Sequence, residues 1–167
     1  MIKATVKNEI NEWILLMVTI SLALILTLLP MPAWFQAFRP AWALLVMVFW
    51  ALLLPGRLSI TLAWVVGLLM DVLNGTLLGE HPFALTLIVY FVARMKNQLL
   101  MFSLFQQGLA VFFLVLVYLF MLFCIQGFLG YFPNTWFYWL PAVTSMLLWP
   151  WVSIILKDWY ARFAEVS

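Results

Sequence analysis

Charged residues are scarce in this chain of 167 residues, because only 8% of them are Asp, Glu, Lys or Arg. Soluble domains carry about 25% charged residues and about 45–50% apolar ones. The apolar share here is 68%, which excludes a water-soluble globular domain. A net charge of +2 is too small to favour nucleic acid as a partner. The composition predicts an all-α, polytopic integral membrane protein with no separate soluble domain.

Reactive and metal-binding side chains are equally scarce, since the chain has one cysteine and one histidine. Cys124 cannot form an intrachain disulfide, and its apolar surroundings in the sequence are typical of a small buried hydrophobe. The single His81 offers neither the ligand spacing of a metal site nor the oriented base that nucleophilic catalysis needs. We therefore expect no metal, no cofactor and no enzymatic activity.

Long apolar segments divide the sequence into six candidate membrane spans that form one domain over residues 1–167. About 20 helical residues cross the hydrocarbon core of a bilayer. Charged, polar and proline residues delimit the spans at 13–29, 41–54, 58–73, 82–93, 108–128 and 138–156. The first span is long and lacks a good cleavage site after it, so we expect an uncleaved helix rather than a secretory signal.

Positive residues are distributed unevenly between the segments that link these spans, and this bias sets the orientation of a membrane protein. If the N-terminus is inside, only Arg39 lies on the outer side. The remaining basic residues all lie on the cytoplasmic side, namely Lys3, Lys7, Arg57, Arg94, Lys96, Lys157 and Arg162. We therefore predict six transmembrane helices with both termini cytoplasmic. Arg57, Arg94 and Lys96 are candidate contacts for cytoplasmic partners, or they anchor the topology.

The middle of the chain looks too short for two complete spans. Residues 58–93 provide 36 positions, whereas two spans need about 40 before a turn is added. We expect either a locally thin bilayer or a turn at 74–82 that dips into the membrane, where other helices or a partner must cover it. The mixed segment 98–107 is compatible with lying along the inner membrane surface.

Asp71 is the most informative residue, because it is the one carboxylate inside an otherwise apolar span. A charge at membrane depth costs roughly 2.5 kcal/mol or more, so it normally faces protein and has a partner. Helical rise places Asp71 about 20 Å from the inner boundary, in the outer part of the membrane. Asn74 follows on the same face, and Gln126 is expected at the same depth.

Several residues near the outer boundary complete this candidate polar hub. Arg39 is the candidate partner of Asp71, either as an ion pair in a recognition site or as a structural pair that joins helices. His81 is best explained as a loop residue, and the alternatives are a proton relay or a metal ligand. Gly75 and Gly79 fit close helix packing, but backbone freedom at a tight bend is the better explanation. Trp42 lies where interfacial aromatic residues are enriched.

Several strings of this sequence resemble the proteobacterial form of the rod shape-determining protein MreD family. The resemblance extends along nearly the whole chain and is most specific in the block 67–85. Its motifs are Arg39-Pro40-Ala41-Trp42, Trp50 followed by Leu54-Pro55-Gly56-Arg57, the block from Gly67 to Leu85, Gln106-Gln107, and Leu148-Trp149-Pro150-Trp151.

The resemblance implies a multi-pass protein of the bacterial inner membrane that belongs to the machinery for side-wall peptidoglycan synthesis. It implies MreC as a partner and, indirectly, MreB, RodA and its class B penicillin-binding transpeptidase, with no enzymatic activity of its own. The family is also distantly similar to the six-helix substrate-binding subunits of energy-coupling-factor transporters. That fold accommodates short, interrupted middle spans.

Three interpretations follow for the region around Asp71. In the first, a non-enzymatic scaffold uses the outer turns to form a groove or collar for the single transmembrane helix of MreC. In the second, the outer level is a pocket for a small molecule or a lipid carrier, as in vitamin-capturing subunits. In the third, Asp71 only braces the helices against each other. Membrane lipids are partners in all three.

Overall fold

Every regular element in the part of the chain that the structure describes is helical, as the composition predicts. The computed structural model describes residues 2–30, 32, 38–130 and 136–165. One short 3₁₀ turn, Trp136–Trp139, precedes the last helix. The helices are α1 Ile2–Leu28, α2 Trp42–Leu53, α3 Gly56–Asn74, α4 Glu80–Met101, α5 Leu104–Phe128 and α6 Leu140–Glu165.

Four of these helical segments are long and apolar enough to cross a membrane. They are α3, α4, α5 and the segment Trp136–Arg162, which contains most of α6. The apolar part of α1 from Glu12 to Leu28 and the whole of α2 are shorter. The chain is therefore a helical membrane protein. The predicted second span is indeed short, since α2 has only 12 residues between two proline-containing turns.

The prediction of a shortened passage through the third and fourth spans is wrong. Helix α3 has 19 residues and α4 has 22, so each is long enough to cross a membrane. The polar residues that follow Ala93 do not end α4, because no glycine or proline lies between Pro82 and Gly108 to interrupt it. Helix α4 therefore continues to Met101.

Residues 98–107 comprise the end of α4, a tight turn at Phe102 and Ser103, and the start of α5. Helix α5 begins directly after Ser103, whose hydroxyl accepts a hydrogen bond from the Gln106 backbone. The Gln106 side chain accepts in return from the Ser103 backbone N–H, at 3.1 Å. This reciprocal cap satisfies two backbone donors at the start of α5, so it fixes the chain reversal after α4.

Helix α2 lies at the centre of the bundle. Ten of its residues, from Ala43 to Leu52, are buried. A helix that is apolar on all sides must be covered all round, and α1, α3, α4 and α6 all pack against α2. Within this core, the indole N–H of Trp50 donates a 3.0 Å hydrogen bond to the hydroxyl of Thr19 on α1.

Hydrogen bonds between helices show which turns share an end of the bundle. The amide of Gln126, late in α5, donates to Glu80 at the start of α4. The backbone N–H of Ala41, just before α2, donates to the Ser145 hydroxyl early in α6. The α3–α4 turn and the start of α2 therefore lie at one end, which we call the Asp71 end. The α2–α3 and α4–α5 turns lie at the opposite end.

Helices α3 and α4 approach closely at Gly67. A Cβ atom built on this glycine would lie 2.4 Å from Cα of Pro82 and 2.6 Å from its nitrogen. Contacts that short do not occur between real atoms, so only glycine fits here without movement of the α4 backbone. Gly67 lies one helical turn before Asp71, on the same face of α3. The close approach therefore brings the start of α4 within reach of the carboxylate.

Candidate functional site

The carboxylate of Asp71 is fully buried and accepts hydrogen bonds from three residues of the turn that follows it. Its Oδ2 accepts from the backbone N–H of Gly79 at 2.6 Å. Its Oδ1 accepts from the Thr76 hydroxyl at 3.0 Å and from the backbone N–H of His81 at 3.2 Å. The Nδ1 atom of His81 lies 2.7 Å from the same oxygen. All of these partners lie within ten positions of Asp71 along the chain, and they satisfy a carboxylate that would otherwise be costly to bury.

Asp71 caps the first turn of α4 from a neighbouring helix. The first backbone N–H groups of a helix have no partner inside it, and negative charge is favoured at that end. Gly79 occupies the N-cap position of α4 and has no side chain with which to cap it. The carboxylate of Asp71 on α3 takes over this role through its bonds to the N–H groups of Gly79 and His81.

Gly75 and Gly79 are needed for their backbone conformation, which confirms the prediction of a tight bend over that of close helix packing. Gly75 has φ +65° and Gly79 has φ +111°, values that side-chain-bearing residues rarely adopt. Neither position has another atom close to where a Cβ would lie, so helix packing does not require the glycines. The backbone N–H groups of Gly75 and Thr76 donate to the Asp71 carbonyl and close the end of α3.

Glu80 is a second buried carboxylate at the Asp71 end, which the sequence did not reveal. It is 5% exposed, and its Oε1 atom accepts a 2.5 Å hydrogen bond from the Gln126 amide. The sequence placed Glu80 in the turn after Asp71, and the structure shows that it begins α4 with its side chain buried. Gln126 does join the cluster, through Glu80 rather than through Asp71.

Tyr118 of α5 is a further member of the cluster that the sequence reading missed. It is 4% exposed, and its ring centroid lies 6.4 Å from that of His81. Its position in an apolar run gave no signal of this role. The side chain of His81 is 12% exposed and pairs with Asp71, so His81 is a structural element of the helix start rather than a free loop residue.

Arg39 does not pair with Asp71, which corrects the predicted ion pair. Its Nη2 atom donates to the Leu26 carbonyl at 3.1 Å, in the last turn of α1. A cation there is favourable because the carbonyls at a helix C-terminus carry partial negative charge. Burial also lowers the pKa of Arg39 from its usual value. Asp71 has no need of Arg39, since His81 already supplies its basic partner.

Asn74 also lies outside the polar cluster. Its side chain is exposed, and its amide donates to the Met70 carbonyl of its own helix at 2.8 Å. Asn74 does follow Asp71 by three residues on α3, but its short side chain bonds back to the last turn of that helix and does not reach the carboxylate. Trp42 begins α2 and is partly buried, apart from the Asp71 cluster.

The predicted cytoplasmic-face residues lie toward the opposite end of the bundle. Arg57 and Arg94 are exposed, whereas Lys96 is partly buried. The Lys96 ammonium donates a 3.1 Å hydrogen bond to the Leu53 carbonyl at the end of α2. This contact places a positive charge on a helix C-terminus, which stabilises it. No group of three or more His, Cys, Asp or Glu side chains that could hold a metal ion occurs among the described residues.

An apolar cleft of about 510 Å³ runs between α3 and α4, beginning at the turn that Asp71 holds. Its lining from α3 is one helical stripe of Ile60, Trp64 and Leu68. Its lining from α4 is Gly79, Pro82, Phe83, Thr86, Leu87 and Tyr90. The hydroxyl oxygen of Thr86 is buried there and has no hydrogen-bond partner within the described part of the chain.

Comparisons with known proteins give one consistent result. Residues 7–159 match the family model described as rod shape-determining protein MreD. The chain is 33% identical over 153 residues to the rod shape-determining protein MreD of Haemophilus influenzae, and the match covers 89% of this chain and 91% of that protein. No solved structure matches the chain. The breadth of both matches shows that this chain belongs to the MreD family of rod shape-determining proteins.

Proposed function

We propose that this protein is a non-enzymatic scaffold of the bacterial inner membrane that organises side-wall peptidoglycan synthesis by binding MreC. In this proposal all six helices span the membrane, both termini are cytoplasmic, and the fold is related to the substrate-binding subunits of energy-coupling-factor transporters. The family's role in determining rod shape supports the proposal, as does the helical membrane architecture.

The single observation that carries the proposal is the apolar cleft between α3 and α4. The cleft is open to the surroundings of the bundle, since the lining side chains Trp64, Phe83 and Tyr90 are each about half exposed. Pockets for small ligands usually enclose them more fully. An elongated apolar cleft between two long antiparallel helices suits a third helix, and MreC has one transmembrane helix to place there.

The chemistry of the cleft suits helix association inside a membrane. Lipid tails are as apolar as the helices, so association depends on close packing and hydrogen bonds rather than on the hydrophobic effect. Gly79 and Pro82 line the Asp71 end of the cleft, and the half-exposed side chains of Trp64, Phe83 and Tyr90 form its rims.

Asp71 supports this surface without touching the partner. Its side chain is fully buried, so no partner atom reaches the carboxylate. Its bonds to Gly79 and His81 instead fix the position of the first turn of α4, which lines the cleft at the Asp71 end. MreB, RodA and its transpeptidase are then indirect partners, and Arg57 and Arg94 are the exposed charges available to contacts on the cytoplasmic side.

Recovery of MreC with purified variants tests the proposal. The double variant Phe83→Ala/Tyr90→Ala removes two rims of the cleft, each about half exposed. We expect it to retain the fold and to recover at least roughly tenfold less MreC than the wild type, because aromatic anchors dominate such contacts. The matched control is Phe113→Ala/Phe120→Ala, which removes two similarly exposed rings from α5. Equal recovery of MreC with both double variants would refute the assignment of the cleft.

A further inference from the structure

A second apolar groove lies on another side of the bundle, where α1 and α6 flank α2. Its volume is about 120 Å³, and Trp42 and Val46 of α2 form its floor. Beyond Trp159 an apolar cleft of about 320 Å³ continues it between Ile14, Val18 and Arg162. The remaining lining residues of the first part are Thr19, Leu22, Ala23, Leu26, Val152, Ile155 and Leu156.

Two N–H donors at the Asp71 end of this groove make no hydrogen bond within the described residues. They are Nε of Arg39 and the indole Nε1 of Trp42, and both atoms are buried. Trp42 lines the groove, and Arg39 is tied to it because its Nη2 atom bonds to the carbonyl of Leu26, another lining residue. Both of these atoms are covered by protein, but the guanidinium of Arg39 is only partly buried, so its remaining N–H groups are open to an acceptor from outside the chain.

We propose that this groove binds one anionic phospholipid, with an acyl chain along α1 and α6 and headgroup oxygens at the guanidinium of Arg39. The hydrocarbon region contains no water, whereas phospholipid headgroups carry phosphate and ester carbonyl oxygens at the boundary where a helix starts. The groove is well below the volume of about 300–1,000 Å³ that is usual for compact ligands, but its open, elongated shape suits a flexible chain. The dimensions therefore favour a lipid over a soluble small molecule.

Charge favours an anionic headgroup at this end and not at the other. Among the described residues no carboxylate pairs with Arg39, whose guanidinium bonds only to a carbonyl. At the far end of the groove, the guanidinium of Arg162 already lies 2.9 Å from the carboxylate of Asp158 on the same helix. A phosphate binds an unopposed guanidinium more strongly, because no carboxylate competes for the same N–H groups.

Native mass spectrometry of the full chain in detergent tests the proposal. Phosphatidylglycerol and phosphatidylcholine with identical acyl chains are added together, and the lipid retained on the protein is counted. We expect the wild type to retain roughly tenfold more phosphatidylglycerol, as charge-assisted hydrogen bonds imply. The variant Arg39→Gln should lose this preference, and the control Arg57→Gln, which changes an exposed arginine of α3 outside the groove, should behave as the wild type.

The comparison of two lipids on the wild type needs no variant, so the proposal is testable even if Arg39→Gln does not fold. Equal retention of both lipids by the wild type would overturn the proposal. It would also be overturned if Arg57→Gln, rather than Arg39→Gln, removed the preference. Displacement of bound phosphatidylglycerol by inorganic phosphate alone would also overturn the proposal, because it would show that the groove contributes nothing to binding.

Discussion

Nδ1 of His81 lies 2.7 Å from Oδ1 of Asp71, across the turn that joins α3 to α4. The same carboxylate also accepts the backbone N–H of His81, so it is bonded to this residue through both its main chain and its side chain. These bonds hold the end of one helix against the start of the next. Because Gly79 and Pro82 at that start also line the α3–α4 cleft, the buried charge determines the shape of a surface that it does not reach.

Removal of the Asp71 carboxylate is expected to destabilise the fold. Asp71→Ala leaves the Thr76 hydroxyl and the backbone N–H groups of Gly79 and His81 without their acceptor, and each unsatisfied buried donor costs about 1–3 kcal/mol. Asp71→Asn keeps one oxygen but places an NH₂ group against a backbone N–H, so we expect a loss of about 1–3 kcal/mol. Unfolding in mixed micelles with increasing dodecyl sulfate measures both values. If Asp71→Asn unfolds no less readily than the wild type, the carboxylate does not cap α4 as described.

Gly67 is expected to tolerate no side chain, unlike Gly56 on the same helix. Gly67→Ala places a Cβ 2.4 Å from the Pro82 backbone, and such overpacking costs about 1–3 kcal/mol. Gly56→Ala is the matched control, because its Cβ would lie 3.5 Å from the Ala93 Cβ, an ordinary contact. The same unfolding assay should separate the two variants. A similar stability for both would show that α3 and α4 are farther apart than the structure has them.

The Trp50–Thr19 hydrogen bond should contribute measurably to the packing of α1 on α2. Both side chains are buried, and the indole N–H lies 3.0 Å from the Thr19 hydroxyl. Hydrogen bonds between membrane helices contribute about 0.6 kcal/mol on average and up to about 1.7 kcal/mol. A double-mutant cycle with Trp50→Phe and Thr19→Val should give a coupling free energy in this range. Additive effects of the two substitutions would mean that the bond does not form.

The proposed topology predicts opposite labelling of the two ends of α4. In a Cys124→Ala background, Leu78→Cys should react with a membrane-impermeant maleimide added from the periplasmic side. Phe105→Cys should react only after the inner membrane is broken. Both native side chains are 72% exposed, so accessibility does not bias the comparison. Labelling of position 105 from outside, with none at position 78, would reverse the orientation.

The chain's class and its key turn were predictable from sequence because both depend on strong, local signals. An apolar share of 68% leaves no alternative to a membrane bundle. The Gly75 and Gly79 bend followed from the conformational freedom that glycine alone provides. Asp71 was recognisable as a buried, partnered charge because its cost inside a membrane is high.

The partners of Asp71 were not predictable, because they depend on packing that the sequence does not encode locally. The predicted topology placed Arg39 and Asp71 at a similar depth in the membrane. A shared depth does not determine which side of the bundle each residue occupies. Glu80 and Tyr118 join the site only because Gly67 lets α4 approach α3, and because α5 covers the start of α4. The continuation of α4 to Met101 was missed because charged residues were taken as the end of a span.

Photocrosslinking in living cells tests most directly whether the α3–α4 cleft is where MreC binds. The photoreactive residue p-benzoylphenylalanine replaces Phe83 in the cleft or Phe120 on α5, whose side chains are 58% and 56% exposed. We expect a crosslink to MreC from position 83 and none from position 120. A crosslink to MreC from position 120, with none from position 83, would contradict it.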